Sequence, residues 1–296
     1  MTTGGSMGTA NLIFNPSSGS FSVAKASAIE DLLRGAGINF KSYYPAGVKE
    51  SAGIVNAITA SGDHQLIIPV GGDGTVNTLL NGILNRSTII GYIPLGTVNV
   101  LARELGISSI SDAVHRIKNG VVRSFTAGKI TSGPFLRYFL LMAGIGFDAA
   151  VVKAVRPKEK SLFGKGAYML SAMRELIEWD HGELEIKVDG KSFRCHSAII
   201  CNSSYYGGGV RIAPESDIFS EQFAILACRH CGRKDFVAWG VSHLLGTVPG
   251  KSQNNIYLKG SVIEISGDKG VHVDGDYVMQ APLAISTVAD FARIIV

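Results

Sequence analysis

No run of this sequence is both long and apolar enough to form a membrane-spanning helix. The longest, Tyr138-Phe139-Leu140-Leu141-Met142-Ala143-Gly144-Ile145-Gly146-Phe147, is bounded by Arg137 and Asp148 and falls short of the roughly 20 residues that a span needs. Blocks of like charge are absent too, and a net charge of +4 over 296 residues is mild, so nothing points to nucleic acid as the main partner. Cysteine is scarce. Cys195 and Cys201 fall in a strand-like run, and the lone C-x-x-C at Cys228-Arg229-His230-Cys231 has neither a second C-x-x-C nor a thioredoxin-like context. Ordinary buried thiols are therefore expected rather than a zinc or redox centre. The opening Met1-Thr2-Thr3-Gly4-Gly5-Ser6 lacks the basic and apolar regions of a secretory leader, so a cytoplasmic protein with a disordered start is expected.

What is present is an ordinary globular composition, 46% apolar, long enough for two domains of about 150 residues each. The first 125 or so residues alternate β-rich runs (11–14, 40–44, 66–70, 89–94) with amphipathic stretches (23–36, 52–61). Such alternation predicts a parallel sheet covered by helices. After about Phe125 the pattern becomes longer β runs at 128–130, 137–143, 183–188, 193–201, 223–228, 256–266 and 271–274, interrupted by helices at 164–179 and 233–245. This predicts an antiparallel β-sandwich, with a cleft between the two domains. The boundaries read as 1–127 and 128–282, with 283–296 returning to the first domain.

The most informative segment is Gly71-Gly72-Asp73-Gly74-Thr75, after the apolar Leu66 to Val70 and before Val76-Asn77-Thr78-Leu79-Leu80. Glycines let the backbone approach a ligand closely, and the N–H groups opening the next helix carry partial positive charge, which suits phosphate. Asp73 would repel a bare phosphate, so it suggests a bridging Mg²⁺ or a hydroxyl to be deprotonated. The plainer alternative is a tight connection whose Asp caps a helix.

Five further segments add to it. Asn15-Pro16-Ser17-Ser18-Gly19 follows the first strand, and Pro94-Leu95-Gly96-Thr97-Val98-Asn99 precedes a helix containing Arg103. Gly144-Ile145-Gly146-Phe147-Asp148 sets an acid in an apolar stretch, where it needs a partner. Gly207-Gly208-Gly209-Val210-Arg211-Ile212-Ala213-Pro214 is a flexible turn, and Val273-Asp274-Gly275-Asp276 carries two acids that would share a face of an extended strand.

In this order the six motifs resemble the bacterial lipid kinase family that includes diacylglycerol kinases, itself similar to the catalytic domain of sphingosine and ceramide kinases. The resemblance covers nearly the whole chain. It implies a three-layer α/β nucleotide-binding domain related to NAD kinases and phosphofructokinases, a C-terminal β-sandwich, and ATP with Mg²⁺ in the cleft. Carried over, Gly71, Gly72, Asp73, Gly74 and Thr75 would hold the ATP phosphates, with Asn15, Ser18, Gly19, Asn77, Gly96, Thr97, Asn99 and Arg103 also on the nucleotide. Asp276 stands where the family's catalytic base ends a D-G-E, with Asp73 as the other catalytic acid. Asp148 resembles the acid aimed at the lipid head.

Two departures are visible. Val100 replaces the Asp of the family's G-T-x-N-D, and Ser220 replaces the acid that ligates a structural Mg²⁺, leaving Asp217, Ser220 and Gln222 as a weakened ligand set. The expected activity is transfer of the ATP γ-phosphoryl group to the hydroxyl of diacylglycerol or a related lipid. An NAD kinase-like enzyme and a non-catalytic lipid- or nucleotide-binding protein are the alternatives. Transient docking at the inner membrane face is expected through Arg156-Pro157-Lys158-Glu159-Lys160-Ser161-Leu162-Phe163-Gly164-Lys165. A homodimer stays open, since no motif encodes the oligomeric state.

Overall fold

The computed structural model describes residues 9–62, 64–156, 158–159, 164, 166–207, 209–229, 231–244 and 254–296. The chain divides into two compact units, Met1–Thr126 with Ala289–Val296, and Ala127–Val288.

In the first unit Ala10–Phe14 lies between Phe40–Tyr43 and Leu66–Gly71, and Leu66–Gly71 in turn pairs with Ile89–Ile90 and Ile93–Pro94, all parallel. Alternation along the strands sends side chains to two faces. Leu12, Phe14, Ile68 and Val70 pack with Ile29 and Leu33 of helix Val23–Gly35 and Val114 and Ile117 of helix Ile110–Asn119. Ile13 and Ile67 pack oppositely with Val55 of helix Val48–Ala60 and Leu79 of helix Asp73–Leu80. Helices thus cover both faces of the parallel sheet, the three-layer arrangement expected. The helix at Ile110–Asn119, opened by Ser109 accepting the Asp112 N–H at 3.0 Å, is an addition to the sequence reading.

The second unit is built on antiparallel pairing. One sheet runs Asn255–Gly260, Phe223–Cys228, Ser197–Cys201, Met142–Ile145, Gly270–Val273, Asp276–Gln280. Facing it, Lys191–Cys195, Leu184–Val188, Val262–Ser266 and the start of Leu283–Ile295 pair in order. Phe139, Ile186, Val188, Ile263 and Ile285 meet Ile145, Ile200, Phe223, Ile225 and Val271 in one buried core, which makes this a sandwich.

Three runs expected as single strands are broken. The run 193–201 divides at buried His196, whose N–H donates to Cys228 O at 2.8 Å, so that its two halves lie in opposite sheets. The run 256–266 divides at Ser261, whose N–H donates to the Asp189 carboxylate at 3.2 Å, and 137–143 divides between Phe139 and Met142. Cys195 and Cys201 are buried free thiols, with burial pushing the Cys195 thiol up to about 12. Cys228 and Cys231 are joined as a disulfide, contrary to the expectation of ordinary thiols. No helix among the described residues is long and apolar enough to cross a membrane. Of the basic segment 156–165, residues 157, 160–163 and 165 lie outside the described residues, as does Gly208 of the glycine turn.

Candidate functional site

In the first unit the strand Leu66–Gly71 runs through Gly72 into helix Asp73–Leu80, which starts without a side-chain cap. Neighbouring strand Ile93–Pro94 leads into the second glycine turn, and the Leu95 N–H donates to Gly71 O at 2.9 Å. The two turns touch where both lack side chains: a Cβ on Gly96 would stand 2.6 Å from Gly72 Cα. Glycine is needed here for space, and both turns sit at carboxyl ends of parallel strands, where ligands of such sheets bind.

Asp73 and Asn99 brace this pair. The Asp73 carboxylate accepts the Val100 N–H at 2.9 Å and the Leu101 N–H at 3.0 Å, thereby capping the short helix Val100–Glu104. Asn99 takes a left-handed conformation (φ 50°), accepts the Gly96 N–H at 3.0 Å and donates from Nδ2 to Gly96 O at 2.8 Å. Buried Tyr92 donates to Asn99 Oδ1 at 3.3 Å, and burial, then the charge of Asp73, hold its phenol well above the usual range. Asn15 donates from Nδ2 to Thr75 Oγ1 at 3.2 Å, which links the first loop to the glycine turn. Ser18 Oγ accepts the Ser20 N–H at 3.3 Å, with open space around Gly19. Gly74, Thr97 and Arg103 are exposed, whereas Asn77 is buried and accepts from Asn81 Nδ2.

In the second unit the acids of Val273-Asp274-Gly275-Asp276 do not share a strand face. Asp274 (φ 48°) and Gly275 (φ 87°) form a left-handed turn that interrupts the alternation. The Asp274 carboxylate accepts the N–H groups of Leu140, Leu141 and Met142, each at 2.9 Å. Asp276, on the far side of the turn, is exposed and forms an ion pair with Arg137 at 2.7 Å. Asp148 opens helix Phe147–Ala154 and accepts from the Tyr206 hydroxyl and from His272 Nε2. The Asp217 to Gln222 turn closes on itself: Asp217 Oδ1 accepts the Phe219 N–H at 2.8 Å, and Ser220 Oγ accepts the Gln222 N–H at 3.2 Å. Among the described residues no group of three or more His, Cys, Asp or Glu could hold a metal ion.

Hydrogen bonds thus gather Asn15, Asp73, Thr75, Gly96 and Asn99 in the first unit, and join Asp148 to the strand leading to Asp276 in the second. Tyr92, Arg137, Tyr206 and His272 were not singled out by sequence. One signal was available, Gly144, because a glycine inside an apolar strand marks close approach by another group. Here that group is the His272–Asp148 pair.

Comparison with known proteins agrees with this geometry along the chain. The model for the diacylglycerol kinase catalytic domain matches residues 9–130, and that for the YegS C-terminal NAD kinase beta sandwich-like domain matches 142–296. A diacylglycerol kinase of Bacillus subtilis (strain 168) is 29% identical over 291 residues, covering 92% of this chain and 90% of that protein. One from Staphylococcus carnosus (strain TM300) is 27% identical over 288 residues, covering 92% and 90%. In fold, the chain is similar to a diacylglycerol kinase crystal structure from Bacillus anthracis str. Sterne, with TM-score 0.73 and 20% identity over 97% of this chain and 96% of that one. The chain belongs to the diacylglycerol kinase family of lipid kinases.

Proposed function

We propose that the protein transfers the γ-phosphoryl group of ATP to the hydroxyl of diacylglycerol or a related lipid, in the presence of Mg²⁺. The observation that carries this reading is the contact of the two glycine turns, Gly71 to Thr75 and Gly96 to Asn99, beside an uncapped helix start. Backbone N–H groups at such a start can receive a polyphosphate with no side chain intervening. Asp73 then serves by holding the two turns together, since its carboxylate accepts the Val100 and Leu101 N–H groups, while Asn99 braces its own turn through the Gly96 N–H. Asn15, Ser18, Gly19, Thr75, Thr97 and Arg103 are assigned to the rim of the nucleotide site. Asn77, being buried, supports the turn from beneath.

On the acceptor side Asp148 receives the lipid head and Asp276 accepts the hydroxyl proton as oxygen attacks phosphorus. Most of the catalysis is positioning and charge neutralisation. When bound, Mg²⁺ supplies charge neutralisation on the phosphates. It is commonly held by one or two carboxylates plus phosphate oxygens and water, so the lack of a cage of three acids among the described residues fits an ion that arrives with the nucleotide. The Asp217 to Gln222 turn, with Ser220 where the family has an acid, is not assigned an ion. Contact with the inner membrane face follows from a bilayer-borne acceptor, with Arg156 and Lys158 as the described cations of the basic segment.

Radiolabelled ATP offered with diacylglycerol, sphingoid bases, phosphatidylglycerol and NAD tests the reading. Label is expected in a lipid and to vanish with EDTA; label in NAD alone, or in nothing, overturns it. Gly96→Ala is expected to weaken ATP binding at least about tenfold, because the new methyl group meets Gly72 Cα and Asn99 Oδ1. Calorimetric titration with a non-hydrolysable ATP analogue reads this, and unchanged affinity would remove the two turns from the nucleotide site.

A further inference from the structure

Three buried or largely buried side chains meet in the second unit, far apart in sequence. Asp148, its side chain 14% exposed, accepts from the Tyr206 hydroxyl and from His272 Nε2, the latter at 2.7 Å. His272 itself is 2% exposed, and its Nδ1 accepts the Gly275 N–H at 3.4 Å. The Gly275 N–H facing Nδ1 and the Asp148 carboxylate facing Nε2 fit a ring that carries its proton on Nε2. One ring therefore touches the acid assigned to the lipid head and the turn that carries Asp276.

The local construction is specific to this contact. His272 and Gly144 are register partners on neighbouring antiparallel strands. A Cβ on Gly144 would collide with both Asp148 Oδ2 and His272 Nε2, so the glycine leaves the space in which the two meet. Between Val271 and His272 the pairing with Asp276–Gln280 slips, an irregularity of the kind that re-aims a side chain. Across the turn, Asp274 fastens the backbone to Leu140, Leu141 and Met142, so Gly275 is held from both sides.

We infer that His272 is a positioning residue for lipid phosphorylation: its Nε2–H orients Asp148 while its Nδ1 holds Gly275, next to Asp276. The inference rests on the roles proposed above for Asp148 and Asp276. A buried His–Asp pair that served stability alone would have the same contacts, so the test must read something stability does not move.

Nitrogen-15 resonances of the wild-type ring should show a protonated Nε2 and an unprotonated Nδ1, with the Nε2–H proton shifted in Asp148→Asn. Kinetics with dioctanoylglycerol in detergent micelles should show kcat falling by about 10²-fold in His272→Leu, the cost of a misplaced catalytic constellation, with KM for ATP unchanged. His272→Gln, whose amide nitrogen reaches the Nε2 position, should recover most of that loss. The double variant His272→Leu with Asp148→Asn should be no slower than Asp148→Asn alone, since both act through one group. A protonated Nδ1, a kcat within about threefold of wild type in His272→Leu, or fully multiplicative losses overturns the inference. The measurement on the wild-type ring needs no variant to fold. Failure of the functional reading has a separate signature, the absence of label transfer by the wild-type protein to any lipid in the panel.

Discussion

Asp276→Asn is expected to lower kcat for lipid phosphorylation by roughly 10²–10⁴-fold, the range a positioned general base contributes. Asparagine keeps the size and the polar oxygen but cannot take a proton from the attacking hydroxyl. ATP affinity should stay at the wild-type level, because the glycine turns belong to the first unit and Asp276 to the second. Asp276→Glu, which restores the longer acid of the related motif, should keep much of the activity. Arg137 steadies the carboxylate from 2.7 Å while leaving it more than half exposed, at 58%. That geometry suits a group that must meet a substrate. Asp73 is differently placed, with both oxygens accepting backbone N–H groups of the neighbouring loop. Steady-state kinetics with the accepted lipid decide between them: full turnover in Asp276→Asn with loss in Asp73→Asn would transfer the base to Asp73.

The second large effect is on stability. Asp274→Ala should destabilise the second unit by about 3–5 kcal/mol, since three N–H groups lose their shared acceptor and each orphaned donor costs about 1–3 kcal/mol, less where water replaces it. Alanine also meets a left-handed backbone at φ 48°, which adds about 1–2 kcal/mol. For a unit of this size the melting temperature should fall by roughly 10 °C or more. Asp274→Asn should be milder, because asparagine tolerates that conformation and retains one side-chain oxygen. Denaturant unfolding followed by circular dichroism measures both. An Asp274→Ala protein as stable as wild type would mean that water satisfies residues 140–142 unaided.

The contrast between these two acids illustrates what the sequence could not convey. Two aspartates two residues apart read as neighbours on one strand face, and only the left-handed turn at Asp274 and Gly275 separates them, one as an anchor and the other as an exposed acid. The broken strands follow the same logic. Around His196 burial continues unbroken because Cys195 and Ala198 pack in the same core although they belong to opposite sheets. Burial alone does not tell which strand a residue pairs with. Helix Phe147–Ala154 was invisible for a related reason: it has only eight residues and follows strand Met142–Ile145 through Gly146 in one apolar run.

By itself the sequence determined what depends on a residue and its near neighbours. The glycine turn after an apolar strand, a helix following it, the alternation of strands with helices and the later shift to β runs were all legible, whereas the start of that helix already at Asp73, inside the turn, was not. Backbone freedom, period and side-chain bulk are local properties. Tertiary structure alone decided the partners: Asp73 with the amides of Val100 and Leu101, Asp274 with residues 140–142, and Asp148 with His272 across a sequence separation of 124. Such contacts depend on strand register, and a slip of one residue turns every side chain to the other face.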